Sequence, residues 1–135
     1  MTDTQQWIER LVRATNAHDL DAVVACFAPD YVNVTPAHPA RGFVGAEQVR
    51  RNWSQIFAAV PDIEAEVVAA THEGPRAWTQ WEMRGTRRDG TAHRMAGVVI
   101  FEVEDGRARK ATFFLEPIED SSGSVDAAVR AQVVR

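Results

Sequence analysis

Apolar residues along this chain recur first at three- and four-residue spacings and later at every second position, which predicts helices followed by strands. Trp7, Ile8, Leu11, Val12 and Thr15 form one stripe, so an amphipathic helix is expected from about Thr4 to His18. Asp19 is placed to cap a second, short helix with Leu20, Val23, Val24 and Phe27 inward, and Pro29 ends it. Tyr31 to Thr35 alternates polar and β-branched residues and reads as a strand. Pro36 to Gly42 is too proline-rich for either element and reads as a loop. A third helix follows Gly45, with Val49, Trp53, Ile56, Phe57 and Val60 on one face, and Pro61-Asp62 closes it.

The rest of the pattern is mostly strand. Ile63 to Thr71, Ala77 to Arg87, Ala92 to Val103 and Arg107 to Glu116 are separated by turn signals. Asp89-Gly90 and Asp105-Gly106 are hairpin pairs, because glycine accepts the positive φ such turns require. Helices followed by an antiparallel meander give an α+β order and not a doubly wound one. Residues 1–117 are expected to form the single domain. Residues 118–135 are expected to be a tether and a short helix, capped by Ser124 and bearing Val125, Ala128, Val129 and Val133.

Composition narrows the functional classes. The 135 residues are 45% hydrophobic and 25% charged with a net charge of −4, ordinary for a globular chain and poorly suited to binding phosphate backbones. Nucleic acid is therefore not expected as a partner. The cluster Arg84, Arg87, Arg88 and Arg94 is diluted by Glu82 and Asp89 and reads as a solvated hairpin end. The opening residues lack the basic and apolar regions of a signal peptide, and no apolar run is long enough for a membrane span. The lone Cys26 suits a reducing compartment, so a cytoplasmic location is expected, with Cys26 as buried packing. The four histidines are scattered without ligand spacing, and no glycine-rich loop follows a strand. Neither a metal nor a nucleotide cofactor is expected.

The run Asn16-Ala-His-Asp-Leu-Asp-Ala-Val-Val-Ala-Cys-Phe-Ala-Pro-Asp30 resembles a signature of the nuclear transport factor 2-like superfamily. Gly42-x-x-Gly-x-x-x-Val49 and the Asp105-Gly106 hairpin resemble it too. That superfamily includes SnoaL-like, ketosteroid isomerase-like and limonene epoxide hydrolase-like proteins. The resemblance implies a cone-shaped, curved, largely antiparallel (mixed) sheet wrapped around the three N-terminal helices and enclosing a pocket.

Pairing Arg88 with Thr91 across a two-residue turn puts Arg84 opposite Met95, Glu82 opposite Gly97, Gln80 opposite Val99 and Trp78 opposite Phe101. By the resemblance this is the concave face. The other face then carries Trp81, Met83, Val98 and Ile100, and relatives often pair two subunits there, so a homodimer through that convex face is expected.

The resemblance also tests chemistries residue by residue. At the ketosteroid isomerase positions stand Thr35 for the base, and Leu11 and Val99 for the two oxyanion donors, so that mechanism is not expected. At the limonene epoxide hydrolase positions Tyr31 and Asn33 keep the Tyr-x-Asn spacing and Glu82 stands for the proton donor. Gln80 replaces the bridging Arg, and Phe113 replaces the water-activating Asp. SnoaL-like cyclases use a last-strand acid and a nearby His, a region His93 could occupy. Glu82, Asn33, Tyr31 and His93 are thus the expected catalytic group. Leu11, Thr35, Trp53, Ile56, Trp78, Gln80, Arg84, Met95, Val99, Phe101, Phe113 and Leu115 are the expected pocket wall. His38 reads either as a lid residue or as plain exposed loop.

Two functions follow: a cofactor-independent acid–base enzyme (isomerase, cyclase, dehydratase or hydrolase) on a small, largely apolar oxygenated molecule, or a binding or dimerising module with the same pocket and no chemistry.

Overall fold

A computed structural model describes residues 2–120 and 122–134. Helix α1 (Asp3–Asn16) opens on a reciprocal cap, in which the Thr2 hydroxyl accepts from Gln5 N–H and the Gln5 side chain accepts from Thr2 N–H. Of its predicted stripe, Trp7, Ile8, Leu11 and Thr15 are buried and Val12 is half-buried. Helix α2 (Leu20–Ala25) is capped by Asp19, whose carboxylate accepts from Ala22 N–H at 3.1 Å. The expected helical Phe27 instead opens strand β1 (Phe27–Val34), and Pro29 sits within that strand, where a register shift in the pairing accommodates it. The turn Pro39–Arg41 and the two-residue strand β2 (Phe43–Val44) lead into α3 (Ala46–Ala59). Strands β3 (Glu64–Glu73), β4 (Arg76–Thr86), β5 (Ala92–Glu104) and β6 (Arg107–Pro117) lie within a few residues of their predicted spans.

The strands form one curved sheet in the order β2-β1-β6-β5-β4-β3. Every pairing is antiparallel except β1 with β6, so the sheet is mixed. The helices lie against its concave face, where Trp7, Leu11, Val23, Val99 and Phe101 share one core. The signature residues of the second helical turn explain themselves physically. Asn16 exchanges two hydrogen bonds with the backbone of Ala65, at 2.7 and 2.9 Å, stapling the end of α1 to β3. The His18 ring reaches the Ile63 carbonyl at 2.7 Å. Trp7 donates its indole N–H to the Cys26 carbonyl, and Cys26 is buried, with its thiol pushed up in pKa by burial against the opposing influence of Arg10. These contacts hold the cone together.

One register differs from expectation, and it reverses a whole strand. Arg87 N–H donates to the Thr91 carbonyl and Gly90 N–H to the Arg87 carbonyl, so the β4–β5 loop holds three residues, Arg88, Asp89 and Gly90. Gly90 takes φ of +86°, the left-handed residue that closes a three-residue loop. Gly85 therefore faces His93, Met83 faces Met95, Trp81 faces Gly97 and Thr79 faces Val99. A shift of one residue exchanges the two faces of a strand. Ala77, Thr79, Trp81 and Met83 are the buried side of β4, whereas Trp78, Gln80, Glu82 and Arg84 are exposed on the convex side.

The inner face of β4 is then fully satisfied. Trp81 donates to the Thr79 hydroxyl at 2.7 Å, and that hydroxyl donates to the Val99 carbonyl at 2.6 Å. Gly97 leaves no room for a side chain, since a Cβ there would lie 2.1 Å from the Phe114 carbonyl oxygen. Beyond the sheet, Ser124 caps α4 (Val125–Val133), none of whose residues is buried.

Candidate functional site

The cone encloses a cavity of about 320 Å³ between α3 and the concave sheet. From α3 come Val49, Asn52, Trp53 and Ile56; from the strands come Phe27, Tyr31, Asn33, Met83, Met95, Phe113 and Leu115. A deeper pocket of about 40 Å³ shares Phe27, Trp53, Met83, Phe113 and Leu115, and ends on Leu11, Thr15, Trp81, Val99 and Phe101. The wall is mostly aromatic and aliphatic with a few convergent polar groups, the usual make-up of a small-molecule site. A broader groove of about 570 Å³ between α1 and β3 has only Glu9, Arg13 and Glu66 as charged groups.

The polar groups fall into two sets. Inside, Tyr31 donates its hydroxyl to Asn33 Oδ1 at 2.6 Å. Burial pushes the Tyr31 phenol far above its ordinary value, so it remains a donor at any working pH. This bond fixes the Asn33 amide with its oxygen occupied. Asn33 is only 8% exposed, and its nitrogen has no protein acceptor among the described residues. Among those residues the one sealed side-chain polar atom without a partner is Nδ1 of His72, so the Asn33 nitrogen is reachable and free to donate into the cavity.

At the mouth, His38 Nε2 meets Glu116 Oε1 at 2.9 Å. Both side chains are partly exposed, 38% and 43%, so the pair adds little to stability and matters for what it positions. It ties the loop after β1 to the last strand. Thr35 strengthens the tie by donating its hydroxyl to the His38 carbonyl at 2.7 Å. His93 lines the same mouth, and burial, with a smaller contribution from the Arg87 charge, lowers its pKa and keeps it neutral at pH 7. Arg41 and Asn52 complete the rim.

Of the expected residues, Tyr31, Asn33, Thr35, Trp53, Ile56, His93, Met95, Phe113 and Leu115 line the cavity, and Leu11, Val99 and Phe101 close its deep end. Four do not. Glu82, Gln80, Arg84 and Trp78 lie on the convex side because of the three-residue loop, and Trp78 is 48% exposed. Glu82 stands opposite Ala96 and Glu66, away from the cavity. Arg84 binds Glu64 at 3.2 Å and Glu66 at 3.6 Å on neighbouring β3. The expected subunit-pairing set is corrected by the same shift: Trp81 and Met83 belong to the core, leaving Val98 and Ile100 on the convex face with Trp78 and Phe114.

Phe27, Arg41, Phe43, Val49, Asn52, Ile63, Met83 and Glu116 line the cavity without having been expected there. Met83 was legible, since Ala77, Thr79, Trp81 and Met83 are collectively more apolar than the alternate set. Glu116 was not: strand alternation with Leu115 sends it outward, and only its contact with His38 brings it to the mouth.

A family model for the SnoaL-like domain matches residues 8–111. This chain belongs to the SnoaL-like family. Solved structures agree with the fold of this SnoaL-like chain. Wild-type IdmH, a candidate polyketide cyclase from Streptomyces antibioticus, superposes with a TM-score of 0.72 at 23% identity, over 84% of this chain and 91% of that one. An epoxide hydrolase of M. tuberculosis like limonene epoxide hydrolase gives 0.72 at 17% identity, over 84% and 83%. A candidate ketosteroid isomerase from Kribbella flavida gives 0.69 at 21% identity, over 98% and 88%. No curated protein matches the sequence. Among the described residues of the SnoaL-like chain, no helix is long and apolar enough to cross a membrane, and no three His, Cys, Asp or Glu side chains converge as metal ligands.

Proposed function

We propose that this chain is a cofactor-independent acid–base enzyme acting on a small, largely apolar oxygenated molecule held in the cone. The carrying observation is the fixed Asn33 amide, whose nitrogen is turned free by the Tyr31 hydroxyl. Such a group can hold a carbonyl, epoxide or water oxygen in one place, and a preorganised donor in a dry site acts without reorganising. His38 and Glu116 supply the proton-transfer groups at the mouth, a last-strand acid beside a histidine, the combination that the SnoaL-like cyclases are known for. The relatives named for polyketide cyclisation, epoxide hydrolysis and ketosteroid isomerisation support a small-molecule-processing role of this kind.

The second reading, a binding module without chemistry, draws on Phe113, an apolar side chain on the cavity wall where hydrolase relatives carry an acid. A panel of small epoxides and enolisable cyclic ketones separates the two. An enzyme turns over at least one panel member, and Glu116→Gln lowers its kcat about 100-fold while binding persists. Binding across the panel with no turnover of any member would favour the module.

The expected homodimer is retained in corrected form, with Trp78, Val98, Ile100 and Phe114 as the apolar convex patch. Sedimentation of wild type and Trp78→Glu tests it; a monomeric wild type at micromolar concentration rejects it.

A further inference from the structure

We infer that the ligand of this cavity is a carboxylate with an apolar body of one or two rings, its acid group held at the mouth by Arg41. The inference rests on the cone being the ligand site, as proposed above. Besides the buried Tyr31 phenol, four ionisable side chains line the cavity: His38, Arg41, His93 and Glu116. His38 and Glu116 engage each other at 2.9 Å. His93 is held towards its neutral form by burial and by Arg87. The Arg41 guanidinium has neither a carboxylate partner nor a hydrogen-bond acceptor among the described residues. The cavity rim therefore carries one guanidinium that no carboxylate of the described residues pairs with directly.

The placement of that charge is built rather than incidental. Arg41 ends the turn Pro39–Arg41, and its N–H donates to the His38 carbonyl at 2.9 Å. The same carbonyl accepts from Thr35, and the His38 ring is tied to Glu116 on the last strand. The loop bearing Arg41 is thus anchored on both sides of the mouth. The His38 ring also engages Glu116, the carboxylate of the cavity lining, and holds it in place.

A guanidinium fork matches a carboxylate with two parallel hydrogen bonds, so an acid gains there what a neutral ligand cannot. Behind the rim the wall is Trp53, Met83, Met95, Phe113 and Leu115, which asks for an apolar body. At about 320 Å³ the cavity is near the lower end of small-molecule sites, which span roughly 300–1,000 Å³, and this limits the body to about two fused rings.

The test is calorimetric titration of the full chain with 2-naphthoate and with its neutral analogue 2-naphthamide at about 0.15 M salt. Naphthoate is expected to bind about tenfold tighter than naphthamide. Arg41→Gln should erase that preference while leaving naphthamide affinity within about twofold, and Arg41→Lys should restore part of it. Arg41 is exposed, so these variants are expected to fold. Equal binding of both compounds, unchanged in Arg41→Gln, overturns the carboxylate assignment and leaves the cavity as the ligand site. A naphthoate preference that survives Arg41→Gln overturns the role of Arg41. Binding of neither compound overturns this inference together with the reading of the cone on which it rests.

Discussion

Two hairpins built on the same dipeptide close in different ways. At β5–β6, Glu104 pairs with Arg107, and Asp105 and Gly106 alone make the turn, with φ of +54° and +74°. At β4–β5, the loop takes in Arg88 as well, and only Gly90 has positive φ. There the Asp89 carboxylate accepts from both N–H and hydroxyl of Thr91, at 3.0 and 2.6 Å, bonds that hold its pKa below the usual range. Asp-Gly marks where a chain reverses but does not fix how many residues reverse it. One extra residue changes the parity of β4, and parity decides whether Met83 or Glu82 meets the ligand.

The sharpest way to break this comparison is to mutate two adjacent residues of β4. Trp81 is 3% exposed and hydrogen-bonded, so Trp81→Ala should cost about 3–5 kcal/mol in denaturant unfolding. Glu82→Ala, on the solvated face, should stay within about 0.5 kcal/mol. Similar costs for the two would contradict the register.

A smaller effect is expected from shortening the odd loop. Deleting Arg88 keeps Arg87 opposite Thr91 and leaves Asp89-Gly90 to turn the chain alone, as Asp105-Gly106 does. The chief loss is the Arg88 hydrogen bond to the Ala58 carbonyl, so the destabilisation should be about 1 kcal/mol. Global unfolding on deletion would mean that the loop, and not the strand pattern, holds the register.

The smallest effect concerns His93, which the register turns inward. Its folded pKa lies below the ordinary value of about 6.5, so an unfolded chain takes up that proton first as pH falls. Stability should therefore decline as pH drops from about 6.5 through the folded value, and His93 should add no pH dependence above that window. His93→Gln should flatten this part of the stability–pH curve; an unchanged curve would place His93 in solvent.

The helices and strand spans were legible because each is written many times over, by a stripe, a cap or an alternation. Thr15 and Trp53 could be placed on inward helix faces from spacing alone, whereas Val99 was placed inward by the family resemblance. The faces of β4 were written too, in the apolar run Ala77, Thr79, Trp81 and Met83, but the turn dipeptide outweighed it. What sequence could not give is contact between distant segments. His38 and Glu116 are separated by most of the chain, and nothing local brings them to 2.9 Å. Arg41 likewise reads as loop until the fold closes beside it.

The register and the cavity meet in one cross-strand pair, Met83 opposite Met95, both on the cavity wall. The chain holds three methionines, so ¹³C-methyl-methionine NMR resolves them easily. The structure requires a methyl–methyl NOE between Met83 and Met95, and titration with 2-naphthamide should shift both signals together. A Met83 methyl that is bleached by a soluble paramagnetic agent, shows no NOE to Met95 and ignores the ligand while Met95 responds would contradict the account at its centre.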